Sequence, residues 1–318
     1  MLDSTRLALV TGGAGFIGSH VVAELLEHGW GVRVLDDFSS GSPSNLCSVS
    51  DRIELVRGDV RDSELLATVA AGVEVIFHLA AIPSVPGSIQ APVHTNDVNL
   101  GGTLRVLEAA RCCGVRRVVL ASSSAVYGGT QPPLQETGPF APVSPYGVQK
   151  LAAEHYLRLY ANLYGVETVA LRYFNVYGER QDPESDYAAV IPLFLSAAKA
   201  GVPLRVHGDG EQSRDFVHVQ DVARANRLAA DAEGVSGECF NVASGRATRV
   251  MELVSAVSKV VGCAARVENE PARAGDIRHS WASVEGARKA LGFESRIELE
   301  VGIRRTLEQA ATVEEVPE

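Results

Sequence analysis

Residues 8–18 read ALVTGGAGFIG, an apolar run that breaks into a glycine-rich turn in which Gly12, Gly15 and Gly18 stand three positions apart. Glycine allows a tight turn and lets backbone N–H groups approach an anion at the start of a helix. The run Leu7–Thr11 has strand character, and Gly15–His28 has helical periodicity. A strand, a glycine loop and a helix in that order open a βαβ unit, which restricts the chain to a parallel α/β sheet. The spacing is GxxGxxG rather than GxGxxG, so the loop is a variant of the usual pyrophosphate-binding turn.

Further apolar runs continue the alternation. Strands are expected at Gly31–Leu35, Ile53–Arg57, Val75–Leu79, Arg117–Ala121 and Thr168–Arg172. Helices are expected at Ser63–Ala70, Val98–Cys112 and Tyr146–Tyr164. The expected fold is a Rossmann-type, doubly wound α/β sheet with a smaller C-terminal substrate lobe interleaved with it in sequence. Residues 1–175 form the dinucleotide-binding part and 176–318 mainly the lobe, where Pro- and Gly-rich stretches alternate with short helices. Glu238–Val242 reads as a strand that rejoins the large sheet.

Tyr146 and Lys150 stand four apart in SPYGVQK, which places them on one helix face. Ser122, Ser123 and Ser124 lie upstream. A free tyrosine titrates near ~10 and is a poor base at neutral pH. A nearby ammonium and an oxidised nicotinamide would stabilise the phenolate, so the sequence predicts that Tyr146 titrates below its usual range. A Ser/Tyr/Lys set beside a dinucleotide loop points to hydride chemistry at a carbon bearing a hydroxyl. Asp36, eighteen residues after Gly18, follows the second strand. There a carboxylate accepts hydrogen bonds from ribose hydroxyls and repels a 2′-phosphate, which favours NAD over NADP. Asp37 is its neighbour, and Asp59, just beyond the third strand, is placed to reach the adenine amino group.

Composition removes other classes. The formal net charge is −10, a poor match for general nucleic-acid binding. The five cysteines, Cys47, Cys112, Cys113, Cys239 and Cys263, form no CxxC pair, so neither a metal site nor a disulfide framework is expected. With no stretch of ~18 apolar residues and no leader-like N-terminus, the chain reads as a soluble cytoplasmic protein with no membrane partner.

TGGAGFIG, LDD, GDVRD, HLAA, SSSAVYG and YGVQK, in this order, resemble the extended short-chain dehydrogenase/reductases. RYFNVYG (172–178), GDGEQSRDFVHVQDVA (208–223) and RAGDIRHSW (273–281) narrow the resemblance to the UDP-sugar 4-epimerases, over residues 7 to about 307. The resemblance implies an NAD-dependent isomerase acting on a UDP-sugar, working as a homodimer. It implies that Ser123 binds the substrate 4-hydroxyl, with Ser124 beside it, that Tyr146 is the base, and that Lys150 holds the nicotinamide ribose. Cofactor contacts are implied at Phe16, Ile17, Ser40, Val60, Leu79, Ala80, Ala81, Asn99, Ser122 and Tyr173, besides the three glycines and the acidic residues above. Substrate contacts are implied at Ser84, Asn175, Ala189, Val190 and His207. Arg214 and Arg273 are implied to grip the diphosphate and Asp276 the nucleotide ribose. Arginine suits that task because its rigid fork of donors matches phosphate oxygens.

Relatives that dehydrate or decarboxylate carry acidic residues where this chain has Ser124 and Ala125. Alanine cannot transfer a proton, so elimination lacks its acid/base pair, and oxidation followed by return of hydride to the other face remains. Ser280 stands where the family uses a bulky tyrosine to exclude 2-acetamido sugars. The stretches SVPGSI, RQDP and YAAVIP also look like those of UDP-N-acetylhexosamine 4-epimerases. Gly87 departs from the usual basic residue. The expected substrates are UDP-GlcNAc and UDP-GalNAc, with UDP-glucose and UDP-galactose; the alternatives are a UDP-glucuronate 4-epimerase, another nucleotide-sugar-modifying enzyme, or a non-catalytic nucleotide-binding regulator.

Overall fold

In the computed structural model, which describes residues 6–182, 189–272 and 277–313, strands and helices alternate from the start. They run β1 (Leu7–Thr11), α1 (Phe16–Glu27), β2 (Gly31–Asp36), β3 (Ile53–Arg57), α2 (Ser63–Ala70), β4 (Val75–His78), α3 (Val85–Gln90), α4 (Pro92–Asn96), α5 (Gly102–Cys113), β5 (Arg117–Ser123), α6 (Pro145–Tyr164) and β6 (Glu167–Tyr173). There follow β7 (Asn175–Tyr177), α7 (Val190–Lys199), β8 (Leu204–His207), β9 (Ser213–Arg214), β10 (Phe216–His218), α8 (Val219–Asp231) and β11 (Glu238–Val242). The last elements are β12 (Thr248–Arg249), α9 (Val250–Val261), β13 (Val267–Glu270), α10 (Glu285–Leu291) and α11 (Leu299–Val313).

Seven parallel strands form one sheet in the order β11-β6-β5-β4-β1-β2-β3. The inner strands are apolar at successive positions because helices cover both faces. In β1, Ala8 and Val10 pack with Val21, Val22 and Leu25 of α1, whereas Leu9 packs on the opposite face with Val106 and Leu107 of α5. The late strand Glu238–Val242 joins the sheet as β11, paired with β6. Ile191, Phe194 and Leu195 of α7, Leu253 and Val257 of α9, and Ile303 of α11 form a separate core. Among the described residues no helix is long and apolar enough to cross a membrane.

Two local features departed from the sequence reading. A ten-residue 3-10 segment, Pro43–Arg52, precedes β3. The helix expected from Val98 begins with a π-helical turn, Asp97–Gly101. Buried Asn99 lies in that turn. Its amide accepts from Ile82 N at 2.7 Å and donates to Ile82 O at 3.2 Å, locking the turn to the loop after β4. Side-chain bonds of this kind are invisible to periodicity, and π turns concentrate near functional sites.

Candidate active site

The sheet order reverses between β1 and β4: β1 leads outward to β2 and β3, while β4 starts the other half. Ligands of such sheets bind in the crevice at the carboxyl ends of the strands on either side of that switch point. Here the crevice is floored by the glycine loop after β1 and by Leu79, Ala80 and Ala81 after β4. The two loops touch. Leu79 N donates to Thr11 O at 3.0 Å, and a Cβ added to Gly12, whose φ is +71°, would sit 2.6 Å from Ala80 N. At Gly18 an added Cβ would lie 2.0 Å from Gly12 O, so the loop folds tightly on the first turn of α1. Gly15 is the N-cap of α1, with no side-chain cap bond to its first-turn amides; Phe16 opens the helix, and Ile17 packs against the core.

Asp36, at the end of β2, is 7% exposed, while Asp37 is exposed. The Asp36 carboxylate accepts from Ala14 N at 2.8 Å and Phe38 N at 2.9 Å, so it braces the glycine loop. Burial raises its pKa, and the two backbone N–H bonds oppose the rise. A carboxylate has about four lone-pair sites, which leaves acceptor capacity for the two hydroxyls of a ribose. A backbone cradle that a Cβ would fill, a helix N-terminus and a buried carboxylate fit a dinucleotide with a free 2′-hydroxyl.

Other expected cofactor residues divide in their bonding. Asp59 is engaged by Arg61, whose Nη2 donates at 2.6 Å and holds its carboxyl below the usual range. Val60 is buried against Gly102. Asp37 accepts from Ser39, and Ser40 is exposed on the same turn. The Tyr173 hydroxyl is committed to Asn226 of α8 at 2.9 Å, and burial raises its pKa.

The reacting end of the crevice is built by β5 and α6. Ser144 caps α6 by accepting from Gly147 N at 3.1 Å, and Pro145 occupies its first turn, a start that fixes the phase of the helix. Tyr146 and Lys150 then face the carboxyl end of β5, and both are buried. Lys150 Nζ donates to Ala121 O at 2.8 Å and lies 5.8 Å from the Tyr146 ring centroid. Ser123 ends β5 and accepts from Ala125 N at 3.2 Å, and Ser124 follows half-buried. Burial pushes Tyr146 up to about 12, with hydrogen bonding from the Ser123 side chain opposing. The expected lowering counts the charge of an oxidised nicotinamide together with Lys150, whereas the protein's own groups alone give a rise. A desolvated phenolate is disfavoured, and the protein's own groups keep Tyr146 a neutral phenol. Burial also brings Lys150 down to about 8, with Glu154 opposing.

Several supporting residues were given no role in the sequence reading. Ser88 Oγ accepts from Tyr146 N at 3.1 Å, tying α6 to α3, whose N-cap is Ser84. Gln149 accepts from Asn99 Nδ2 at 2.8 Å and donates to Thr95 at 3.0 Å. His78 bridges Thr11 (2.8 Å) and Thr103 (3.1 Å). The available signals were the places of Ser88 in SVPGSI, Gln149 in YGVQK and His78 in HLAA.

Among the expected substrate residues, Arg214 lies on β9, and Ser280 N donates to Ser213 O at 3.1 Å, so these two neighbour each other. Asn175 begins β7. Ala189 and Val190 start α7 half-buried. His207 ends β8 with Nδ1 3.2 Å from Glu270. Arg273 and Asp276 lie outside the described residues.

Residues 8–243 match the model of the NAD dependent epimerase/dehydratase family. The chain belongs to this family. Its cofactor is NAD. A UDP-glucose 4-epimerase of Mycolicibacterium smegmatis is 44% identical over 305 residues, covering 94% of this chain and 97% of that one. A UDP-N-acetylglucosamine 4-epimerase from Methanobrevibacter ruminantium, solved with UDP-N-acetylmuramic acid, superposes with a TM-score of 0.93 at 37% identity, over 98% of this chain and 99% of that one. The Thermus thermophilus UDP-glucose 4-epimerase in complex with NAD gives a TM-score of 0.86 at 38% identity, over 96% and 98% of the two chains.

Proposed function

We propose that the chain inverts C4 of UDP-sugars, interconverting UDP-GlcNAc with UDP-GalNAc and UDP-glucose with UDP-galactose through a 4-keto sugar. The observation that carries this reading is the convergence of Tyr146, Lys150 and Ser123 at the carboxyl end of β5, with Ser124 and Ala125 in place of acidic residues. NAD supplies the hydride acceptor and donor and, when oxidised, a positive ring charge. Ser123 orients the sugar 4-hydroxyl. Tyr146 must first lose its own proton; as the phenolate, favoured by Lys150 and the positive nicotinamide ring, it takes the 4-hydroxyl proton as the C4–H bond breaks and returns it when hydride arrives on the other face. Lys150 favours the phenolate during the first step. No second proton-transfer residue is required, because C4 begins and ends as a secondary alcohol. Arg214 contributes to diphosphate binding, and Ser280 leaves space at C2.

A homodimer is part of the reading. The outer face of α6 carries Val148 (53% exposed), Leu159 and Leu163 (66% exposed), and α3 and α4, which pack against α6, add exposed Ile89 and Val93. An apolar stripe of that kind suits a second copy of the chain.

The test is incubation with UDP-GlcNAc, UDP-glucose and UDP-glucuronate, with NMR of the anomeric signals. The first two are expected to equilibrate with their C4 epimers without net NADH consumption. A stable 4-keto product or net redox change overturns epimerisation. Turnover of UDP-glucuronate alone overturns the substrate assignment and leaves the C4 chemistry standing.

A further inference from the structure

The buried face of α6 does not end at Lys150. One turn further, Glu154 is buried, its side chain 4% exposed. Its Oε1 accepts from Ser122 Oγ at 2.5 Å and from Arg172 Nε at 2.9 Å, and its Oε2 from Arg172 Nη2 at 2.7 Å. Arg172 comes from β6 and is 2% exposed. It is held in turn by the Tyr127 hydroxyl at 2.8 Å, by Glu136 O at 3.0 Å and by the ring of Phe140, 4.6 Å away. The carboxylate is therefore fixed on two sides, and Ser122, one residue before Ser123, is fixed with it.

We propose that Glu154 is a positioning residue that keeps Lys150 in its ammonium form in the catalytic cleft, with Arg172 holding the carboxylate in place and limiting its field. This rests on the role given to Lys150 above. The groups around Lys150 single out Glu154. From β4, His78 is fully buried and held neutral, near 3, by desolvation and then by Lys150 itself. From β5 comes the Ala121 carbonyl. From β6 comes Arg172, and from β11 Cys239, whose thiol burial pushes up to about 12. Helix α3 carries no titratable side chain, and His94 of α4 is exposed. Asp97 pairs with Arg61 and Arg105, while Glu108 of α5 pairs with Arg111 and the Tyr160 hydroxyl. On α6 itself, Tyr146 is neutral in its protein surroundings. Among the described residues, Glu154, four positions on and buried on the same helix as Lys150, is the carboxylate whose charge opposes the desolvation of Lys150.

The test is the pH profile of kcat for UDP-glucose epimerisation by the NAD-loaded enzyme. Lys150 must be protonated, so activity falls as pH rises through its pKa. Glu154→Gln removes the opposing charge and leaves the Arg172 cation, so the alkaline limb is expected to move down by about one unit or more. Arg172→Met leaves the carboxylate unneutralised, so the limb is expected to move up. A purely structural role would lower kcat in both variants without displacing the limb in opposite directions. Where a single variant does not fold, the Glu154→Leu/Arg172→Met pair, which leaves no lone buried charge, is expected to move the limb down. An unmoved limb in folded Glu154→Gln, an unmoved limb in the pair, or displacement of both singles in the same direction would overturn the proposal. Wild-type turnover in Tyr146→Phe would instead overturn the reading on which it rests.

Discussion

Gly12→Ala probes the contact on which the cofactor crevice depends. Two effects add. At φ +71° an L-side chain meets its own backbone, at about 1–2 kcal/mol. The new Cβ would also sit 2.6 Å from Ala80 N, 2.8 Å from Ala80 Cα and 2.9 Å from Leu79 C. All three are backbone atoms, so no rotamer change relieves the overlap. The loops after β1 and β4 must separate by roughly 1 Å, with an overpacking cost of about 1–3 kcal/mol. Gly29→Ala is the matched control. Gly29 has φ +80° with nothing within 4 Å of the added Cβ, so it reports the conformational cost alone. Gly12→Ala is expected to lose about 2–5 kcal/mol in urea unfolding against about 1–2 for Gly29→Ala. NAD affinity by calorimetry is expected to fall in the first variant and to stay near wild type in the second. Equal destabilisation with unchanged NAD affinity would refute the claim that the two loops form a rigid, glycine-dependent floor.

Three further outcomes are expected. Tyr146→Phe removes the proton acceptor and little volume, so turnover should drop at least ~100-fold while UDP-sugar binding persists in calorimetry; turnover within tenfold of wild type would sink the base assignment. Asp36→Ala removes the proposed acceptor for the ribose hydroxyls, the bond from Ala14 N that braces the glycine loop and the local bond from Phe38 N, so NAD should bind more weakly and discrimination against NADP should shrink, as measured by competitive titration; a wild type that prefers NADP would contradict the role. Ser280→Tyr should fill the space beside β9, where a clash is worth about 1–3 kcal/mol, and lower kcat/KM for acetamido sugars at least ~10-fold relative to plain hexoses; an unmoved ratio would make Ser280 a bystander.

Much of the architecture was legible because it follows from local spacing. The glycine loop, the apolar strands β1, β4 and β5, and the four-residue interval from Tyr146 to Lys150 depend on backbone conformation and side-chain period, which neighbouring residues set. The edge strand β11 was visible as a run of the right length, Glu238–Val242, although only hydrogen bonding to β6 makes it part of the large sheet. The π-helical turn before α5 was not legible, since it depends on bonds from Asn99 to Ile82, seventeen residues away.

At the site, residue identity was determined by sequence and chemical state by tertiary packing. The sequence singles out Asp36 over its neighbour Asp37 by its place at the end of β2; only the fold buries the first against the glycine loop and leaves the second in solvent. The Tyr146–Lys150 pair suggested a lowered phenol pKa, because the sequence displays the cation and hides the desolvation. Burial by β5, α3 and the rest of the sheet reverses the sign in the protein's own surroundings, up to about 12. Glu154 and Arg172 carry no motif linking them. They meet because α6 packs across β5 and β6, and a buried carboxylate is stable only where a second element supplies its partner.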